Sequence, residues 1–184
     1  MNKPDKSLEQ TIQDLLLHMD ARPDREGLQD TPRRYKKFLE EFLSPEAFTA
    51  TVFESEGYDE MVVQADIPFY SLCEHHLVPF FGHGTIAYIP DKKIVGLSKL
   101  ARALDHFSHQ LQNQERITMQ VADFLSDAIA PKGVGVVLTA RHLCMEMRGV
   151  EKTGTHTTTS CVRGIFKSNT ATRQEFLQLA RHAQ

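Results

Sequence analysis

Residues 61–90, MVVQADIPFYSLCEHHLVPFFGHGTIAYIP, decide the fold class, because the hydrophobic pattern changes there from helical to strand-like spacing. The segments MVVQADIPFYSLC and GHGTIAYIPDKKIVGL, which begin at Met61 and Gly82, are rich in β-branched and aromatic residues and predict two strands. The cluster CEHH lies between them, so we expect it at a strand end or in a turn. Three potential metal ligands, Cys73, His75 and His76, therefore occupy four residues of one connection.

Helical patterns precede and follow this pair of strands. SLEQTIQDLLLHM has an apolar stripe at helical spacing, and a Thr-Pro pair predicts a second helix with Thr31 as its N-cap. A Ser-Pro pair at Ser44 predicts a short third helix by the same signal. Two amphipathic helices, LSKLARALDHFSHQL and QERITMQVADFLSDAI, then follow the strands.

The remaining segments predict two further strands and a closing helix. Residues 133–150, GVGVVLTARHLCMEMRGV, are predicted as one long strand, residues 155–167 as another, and residues 170–183 as a helix. The order of helices, hairpin, two helices, hairpin and helix favours an α+β domain with an antiparallel sheet. Two hairpins form a small sheet whose edges need cover, so we expect a homo-oligomer.

Composition and charge exclude several classes of protein. The 184 residues are 41% hydrophobic and 24% charged, which is typical of a globular domain. A net charge of −3 gives no overall attraction for nucleic acid, so a polyanion would need a local basic pocket. No apolar run is long enough to span a bilayer, and the first ten residues lack an apolar signal core. We therefore expect a cytoplasmic protein without nucleic-acid or membrane partners, whose three cysteines form no disulfide framework.

A second Cys-His pair provides partners for the CEHH cluster. His142 and Cys144 alternate in the long predicted strand, so we expect them to share a face. Two thiols with imidazoles select zinc over calcium or magnesium. Strict alternation would pair Cys73 with His75, whereas a turn would bring Cys73 and His76 together, and the spacing leaves both open. Three protein ligands would leave a position for water and spare imidazoles for proton transfer, while a fourth would make a closed structural site.

Several separated blocks of the sequence resemble the GTP cyclohydrolase I family. They are DREGLQDTPRRYKKFLEEF, SLCEHHLVPFFGHGTIAYIP, IVGLSKLARALDHFSHQLQNQERIT and ARHLCMEMRGVEKTGTHTTTSCVRGIF, in this order from about Asp24 to Leu177. The resemblance implies the tunnelling fold, an antiparallel sheet with helices packed on one side. We place an N-terminal helical region at residues 1–60 and the catalytic domain at residues 61–184. The resemblance also implies a toroidal homo-oligomer, commonly a decamer, with active sites between subunits.

The same resemblance implies a zinc hydrolase acting on GTP. Such enzymes open the imidazole ring, release formate and make 7,8-dihydroneopterin triphosphate, the first step toward folates and other pterins. Transferred by position, the zinc ligands fall on Cys73, His76 and Cys144. The catalytic roles fall on His75, His142 and Ser98. The substrate-binding roles fall on Glu115, Lys99, Arg102, Arg148 and Arg34.

The chemistry of the proposed reaction gives each residue type a reason. Zinc lowers the pKa of bound water and supplies hydroxide for attack at C8, and an imidazole near neutral pKa suits protonation of the purine nitrogen. A carboxylate at Glu115 can accept two hydrogen bonds from the guanine N1–H and 2-amino group. The basic residues supply the local pocket that a net-acidic chain needs for a triphosphate.

Two other functions are compatible with these motifs. A purine or pterin enzyme of the same fold, such as a nitrile reductase or an aldolase, is disfavoured because those reactions do not need Cys-x-His-His together with His-x-Cys. A zinc-stabilised binding protein would use the same ligands with a protein side chain in the fourth position. Cys161 receives no metal role, and we expect it to be a buried strand thiol.

Overall fold

The computed structural model describes residues 6–181 and divides after Ser44 into two compact units. The first unit contains the helices α1 (Leu8–Met19), α2 (Glu26–Gln29) and α3 (Thr31–Phe42). A capping box begins α1, where the Ser7 Oγ accepts a hydrogen bond from the Gln10 backbone N–H at 3.2 Å. The predicted N-cap of α3 is wrong by one residue, since Asp30 takes that position and Thr31 is already helical.

The second unit contains a five-stranded sheet and a separate two-stranded one. The strands are β1 (Val52–Glu54), β2 (Val62–Cys73), β3 (Pro79–Ile89), β4 (Lys93–Val95), β5 (Leu111–Gln112), β6 (Gly133–His142) and β7 (Thr157–Gly164). The large sheet has the order β5-β2-β3-β6-β7, in which only β2 and β5 are parallel, and β1 pairs with β4. Both predicted hairpins, β2–β3 and β6–β7, are confirmed, so the fold is α+β with a mostly antiparallel sheet.

Helices cover both faces of the large sheet. They are α4 (Ser98–Ser108), α5 (Gln114–Ile129), α6 (Leu143–Glu146), α7 (Ile165–Ser168) and α8 (Thr170–Arg181). The main core joins α4 and α5 to inward residues such as Ile86, whereas Phe166 and Phe176 form a second cluster with Ala87. Because adjacent residues of a strand point to opposite faces, α8 lies on the face opposite α5. The expectation that all helices pack on one side is therefore wrong.

A glycine allows α8 to approach the sheet. A Cβ at Gly135 would lie 2.8 Å from the ring of Phe176, closer than real Cβ contacts allow. The absence of a side chain at this position lets the Phe176 ring pack directly on β6, where it is fully buried. The second core cluster thus depends on Gly135 of β6 as well as on the apolar side of α8.

Several segments differ from the sequence-based expectations. The strand predicted over residues 155–167 ends at Gly164, where α7 begins. The long strand predicted over residues 133–150 ends at His142, and residues 143–146 form the single turn α6, closed by a hydrogen bond from the Met147 N–H to the Leu143 carbonyl at 3.0 Å. The short helix predicted at Ser44 is not formed, and residues 44–51 have no regular secondary structure. Strand β3 begins at Pro79, before the predicted start at Gly82.

The division after Ser44 differs from the boundary drawn after residue 60, because β1 pairs with β4 and so belongs with the second unit. Residues 1–5 and 182–184, which include the end of the predicted closing helix, lie outside the described residues. Among the helices of residues 6–181, none has both the length and the apolar character needed to cross a bilayer.

Strand pairing gathers the chemically interesting segments at one end of the large sheet. Ser71 of β2 pairs with Phe80 of β3, which pairs in turn with His142, the last residue of β6. At the same end, Cys73 pairs with Gln112 of β5, two residues before the start of α5. The CEHH turn, the α6 turn and the beginning of α5 are therefore neighbours.

Candidate metal centre and active site

The CEHH segment forms a tight turn after β2. The carbonyl of Cys73 accepts hydrogen bonds from the backbone N–H groups of His76 at 3.2 Å and Leu77 at 2.8 Å. Leu77 completes the turn in the left-handed region, with φ of 55°. The Sγ of Cys73 lies 3.6 Å from Nδ1 of both His75 and His76. The backbone of this segment therefore forms the predicted turn and does not continue the alternation of a strand.

Cys144 approaches this turn from α6. One ligand atom each from Cys73, His76 and Cys144 can be chosen so that all three lie within 4.8 Å of one another. Burial raises the pKa of the Cys144 thiol, and the neighbouring Cys73 raises it further by repulsion and hydrogen bonding. Two adjacent thiols and an imidazole are ligands that suit a soft divalent cation. These three residues form a group that could bind a metal.

The prediction that His142 and Cys144 share one face of a long strand is wrong. These two residues do not alternate along one strand face, because β6 ends at His142 and Cys144 is helical. Arg148 lies beyond α6 and is exposed. It is still close enough to Cys144 for its positive charge to oppose the rise in the pKa of that thiol. The α6 turn, rather than strand periodicity, therefore carries the thiol to the CEHH segment.

His142 is held firmly by its surroundings. Its ring stacks on Phe80 with centroids 4.7 Å apart and an interplanar angle of 3°. Its Nε2 lies 2.8 Å from the Oε1 of Gln114, the first residue of α5. Burial lowers the pKa of His142, and the carboxylate of Glu115 partly opposes that shift. The imidazole is thus favoured in its neutral form, which can accept a proton.

An ion pair links the CEHH turn to α5. The two carboxylate oxygens of Glu74 accept hydrogen bonds from Arg116 at 2.6 and 3.0 Å, and Asn113 donates a third at 3.0 Å. Arg116 and Asn113 together lower the pKa of Glu74 to about 2. Asn113 is also the N-cap of α5, where its Oδ1 accepts from the Arg116 backbone N–H at 2.8 Å. The ligand turn and the first turn of α5 are therefore joined through three side chains.

The residues expected to bind substrate occupy two places in the second unit and one in the first. Glu115 and Arg148 act electrostatically on His142 and Cys144, so both lie near the candidate centre. Ser98, Lys99 and Arg102 instead stand at the beginning of α4. Arg34 lies on α3 in the first unit, with its guanidinium 3.3 Å from the carboxylate of Asp30.

Sequence reasoning missed three contributors to this site. Gln114 and Phe80 contact His142 only because of tertiary register, and no local pattern marks them. Glu74 was passed over although it lies within the CEHH cluster, where a charged residue between potential ligands was a usable signal. His75 remains exposed beside it, with Nε2 3.8 Å from the Glu74 carboxylate.

The chain resembles known proteins over nearly its whole length. The family model for GTP cyclohydrolase I matches residues 8–181. The GTP cyclohydrolase 1 of Aquifex aeolicus is 51% identical over 177 residues, which cover 96% of each chain. The enzyme of the same name from Sulfurihydrogenibium is 52% identical over 94% of this chain and 92% of its own, and that from Coxiella burnetii is 48% identical over 92% and 95%.

A search of solved structures found an apo archaeosine synthase QueF-like protein at a TM-score of 0.46 and 14% identity, covering 56% of this chain and 93% of its own. The assignment rests on the sequence relatives, which span nearly the whole chain at about half identity. The chain is an enzyme that belongs to the GTP cyclohydrolase I family.

Proposed function

We propose that this chain is a zinc-dependent hydrolase that converts GTP and water to 7,8-dihydroneopterin triphosphate and formate, the first step of tetrahydrofolate and pterin biosynthesis. The observation that carries this proposal is the clustering of Cys73, His76 and Cys144 beside an oriented His142 in a chain of this family. An oriented imidazole next to a potential three-ligand metal centre is the combination that metal-assisted hydrolysis requires.

The proposed metal ligands are Cys73, His76 and Cys144. Two thiolates and one imidazole suit zinc, and three protein ligands are the number found in catalytic rather than closed structural sites. When bound, zinc lowers the pKa of a coordinated water towards neutrality and so supplies a nucleophile. Among the residues that the structure describes, the group that could hold a metal contains only these three, which favours an enzyme over a zinc-stabilised binding protein.

The proposed acid and base groups are His142 and His75, and Ser98 is the third proposed catalytic residue. Burial keeps His142 neutral near pH 7, so it can take up a proton and return it to a purine nitrogen as the ring opens. The side chain of His75 is 65% exposed beside the candidate ligands, so it can exchange protons with solvent. The two histidines thus face different environments, which suits different steps of proton transfer.

The proposed substrate contacts fall into two sets, one to the guanine base and one to the triphosphate. Glu115 would accept hydrogen bonds from the guanine N1–H and 2-amino group, a donor pair that adenine lacks. The cations proposed to bind the triphosphate are Lys99, Arg102, Arg148 and Arg34. Ser98 lies just ahead of Lys99 at the N-terminal end of α4, where the helix dipole favours an anion.

The course of α4 supports active sites shared between subunits. The Ser71 Oγ donates a hydrogen bond to the Ser108 carbonyl at 2.7 Å, so the end of α4 lies beside the end of β2 that carries Cys73. Ser98 lies at the other end of this helix, roughly 15 Å away at 1.5 Å per residue. Lys99 and the candidate metal group of one chain are therefore well separated, and we propose that a neighbouring subunit brings the two sets together.

The proposal extends to the assembly and its location. It includes the tunnelling fold, a toroidal homo-oligomer that is commonly a decamer in this family, and a cytoplasmic location. Within residues 6–181, β7 is the edge strand of the five-stranded sheet, which supports assembly because a neighbouring chain would cover this edge.

One assay tests the proposed reaction. The purified, zinc-loaded protein is incubated with GTP, then formate is measured together with the pterin that becomes fluorescent after oxidation. We expect both products in equal amounts and neither with ATP. Absence of formate from assembled protein would overturn the proposal, and formate without pterin would show that the reaction stops after ring opening. Binding of GTP without any product would favour a binding protein.

A further inference from the structure

The side-chain amide of Gln114 is buried and has close contacts at both its nitrogen and its oxygen. Gln114 is the first residue of α5 and is only 1% exposed. The Nε2 lies 2.9 Å from the Leu138 carbonyl, 3.0 Å from the Thr157 carbonyl and 3.1 Å from the Thr159 Oγ1. The Oε1 lies 2.8 Å from the Nε2 of His142. No role in the proposed reaction has so far been given to this residue.

The neighbours of Gln114 determine which way its amide points. Backbone carbonyls only accept hydrogen bonds, so the end of the amide that faces Leu138 and Thr157 must be the NH₂ group. The opposite orientation would place the amide oxygen against two carbonyl oxygens in a buried site, where their lone pairs repel one another. The Oε1 must therefore face His142.

Two hydroxyl groups support the same orientation. Thr118 Oγ1 lies 2.7 Å from the Gln114 carbonyl, to which it donates its single proton. Thr118 and Thr159 also lie 2.7 Å apart, so Thr159 must be the donor in that contact. Thr159 then has lone pairs left to accept from the Gln114 NH₂ group. Every donor in this network points away from His142, which leaves only an acceptor facing the imidazole.

We infer that Gln114 is a positioning residue for the proposed reaction, because its amide oxygen requires a proton on Nε2 of His142 and leaves Nδ1 to exchange a proton with the substrate. An oxygen that can only accept forms its hydrogen bond with an N–H donor, so the neutral ring is held as one tautomer. Stacking on Phe80 fixes the plane of the ring, and Gln114 fixes its direction within that plane. The inference rests on the proposed catalytic role of His142.

The first test determines the tautomer directly. Zinc-loaded protein with ¹⁵N-labelled histidine is studied by solid-state NMR as a sediment at pH 8, above the ordinary histidine pKa of about 6.5. The His142 signals are identified by their loss in His142→Asn. We expect a proton on Nε2 and none on Nδ1. A proton on Nδ1, or a mixture of the two tautomers, would overturn the inference whatever the activity of the protein.

The second test measures the effect of removing the acceptor. Gln114→Met keeps the length of the side chain, and we expect kcat for formate release to fall by about 10–100-fold, as for other partners that orient a histidine. KM for GTP and zinc content should stay unchanged. The matched control is Gln64→Met, since Gln64 is a part-buried glutamine of β2 whose Oε1 has no partner among residues 6–181. This variant should keep the wild-type kcat.

The outcomes separate this inference from the proposed function. A wild-type protein that releases no formate contradicts the proposed function, and the NMR measurement still decides the tautomer. Equal kcat values for Gln114→Met and wild type would reject the positioning role, as would a change confined to KM. If Gln114→Met does not fold, Thr159→Val removes one supporting hydroxyl and is expected to show a smaller fall in kcat, again at constant KM.

Discussion

Stacking of His142 on Phe80 leads to a prediction that separates catalytic orientation from stability. Phe80→Leu removes an aromatic ring that is fully buried and so cannot touch the substrate. Among residues 6–181, the ring makes two aromatic contacts, with His142 at a centroid distance of 4.7 Å and with Phe69 at 6.3 Å. Aromatic pairs contribute about 0.5–1.5 kcal/mol each beyond their buried area, so the free energy of unfolding should fall by about 1–3 kcal/mol.

Phe166→Leu is the matched control for this change. Phe166 is equally buried but contacts one ring, Phe176, at 5.4 Å, on the opposite face of the sheet from His142. Its loss should cost about 0.5–1.5 kcal/mol by the same reasoning. In a chain of this length each kcal/mol lowers the Tm by about 2–4 °C, so thermal unfolding can compare the two variants.

The catalytic readout is the rate of formate release at saturating GTP and at a temperature where both variants are folded. Phe80→Leu should lower kcat by about tenfold or more because the imidazole loses the surface that fixes its plane, whereas Phe166→Leu should keep the wild-type rate. KM should be unchanged in both. Equal kcat values for the two variants would refute the reasoning, because they would show that stacking contributes stability but no orientation.

Three further predictions concern the metal centre, the recognition of guanine and the ion pair between Glu74 and Arg116. Cys144→Ala should lose bound zinc and formate release together, whereas His142→Ala should keep its zinc, measured by elemental analysis, and lose at least about 100-fold in rate. Glu115→Gln should weaken GTP binding by about tenfold or more in calorimetry, because a carboxylate acceptor for two guanine donors is lost. Since Arg116 and Asn113 together lower the pKa of Glu74 to about 2, the ionised carboxylate stabilises the fold fully at pH values above its ordinary pKa of 4.5. The stability difference between wild type and Glu74→Gln should therefore disappear as the pH falls from about 4.5 to about 2.

Each of these predictions has an outcome that contradicts it. Loss of zinc from His142→Ala would mean that the ligand and proton-transfer roles have been exchanged. Unchanged affinity of Glu115→Gln for GTP would reject its assignment to guanine. A stability difference for Glu74→Gln that persists at pH 2 would show that the effect comes from packing rather than from the charge of the carboxylate.

Local patterns were sufficient for most elements but not for their ends. The two hairpins and helices α1, α4, α5 and α8 follow from apolar spacing over eight or more residues, which is long enough to distinguish periods of 2 and 3.6. The α6 turn was missed because four residues are too few to show a period, and the β-strand spacing of Cys144 and Glu146 imitated a continued strand. The short strands β1 and β5 were missed for the same reason, and β4 was merged with β3 into the single strand predicted from Gly82.

The candidate ligands could be found from sequence, whereas their surroundings could not. Cys73, His76 and Cys144 are rare residue types at short spacing, and they stand out without any knowledge of the fold. Glu74 and Arg116 are 42 residues apart, and Gln114 meets His142 across 28 residues. Such contacts between common polar residues depend on strand register and helix placement, which local composition does not specify. The face covered by α8 is undetermined for the same reason.

The course of α4 has a consequence for mixtures of defective chains. The helix keeps the CEHH turn and the basic start of α4 apart within one chain, so each proposed active site needs two chains with different intact parts. A chain with Cys144→Ala and a chain with Lys99→Ala would each be inactive alone. Co-assembled, they would rebuild some complete sites, since one chain retains the thiol and the other the amine. The proposed sharing of active sites thus predicts genetic complementation between two inactive alleles of a single gene.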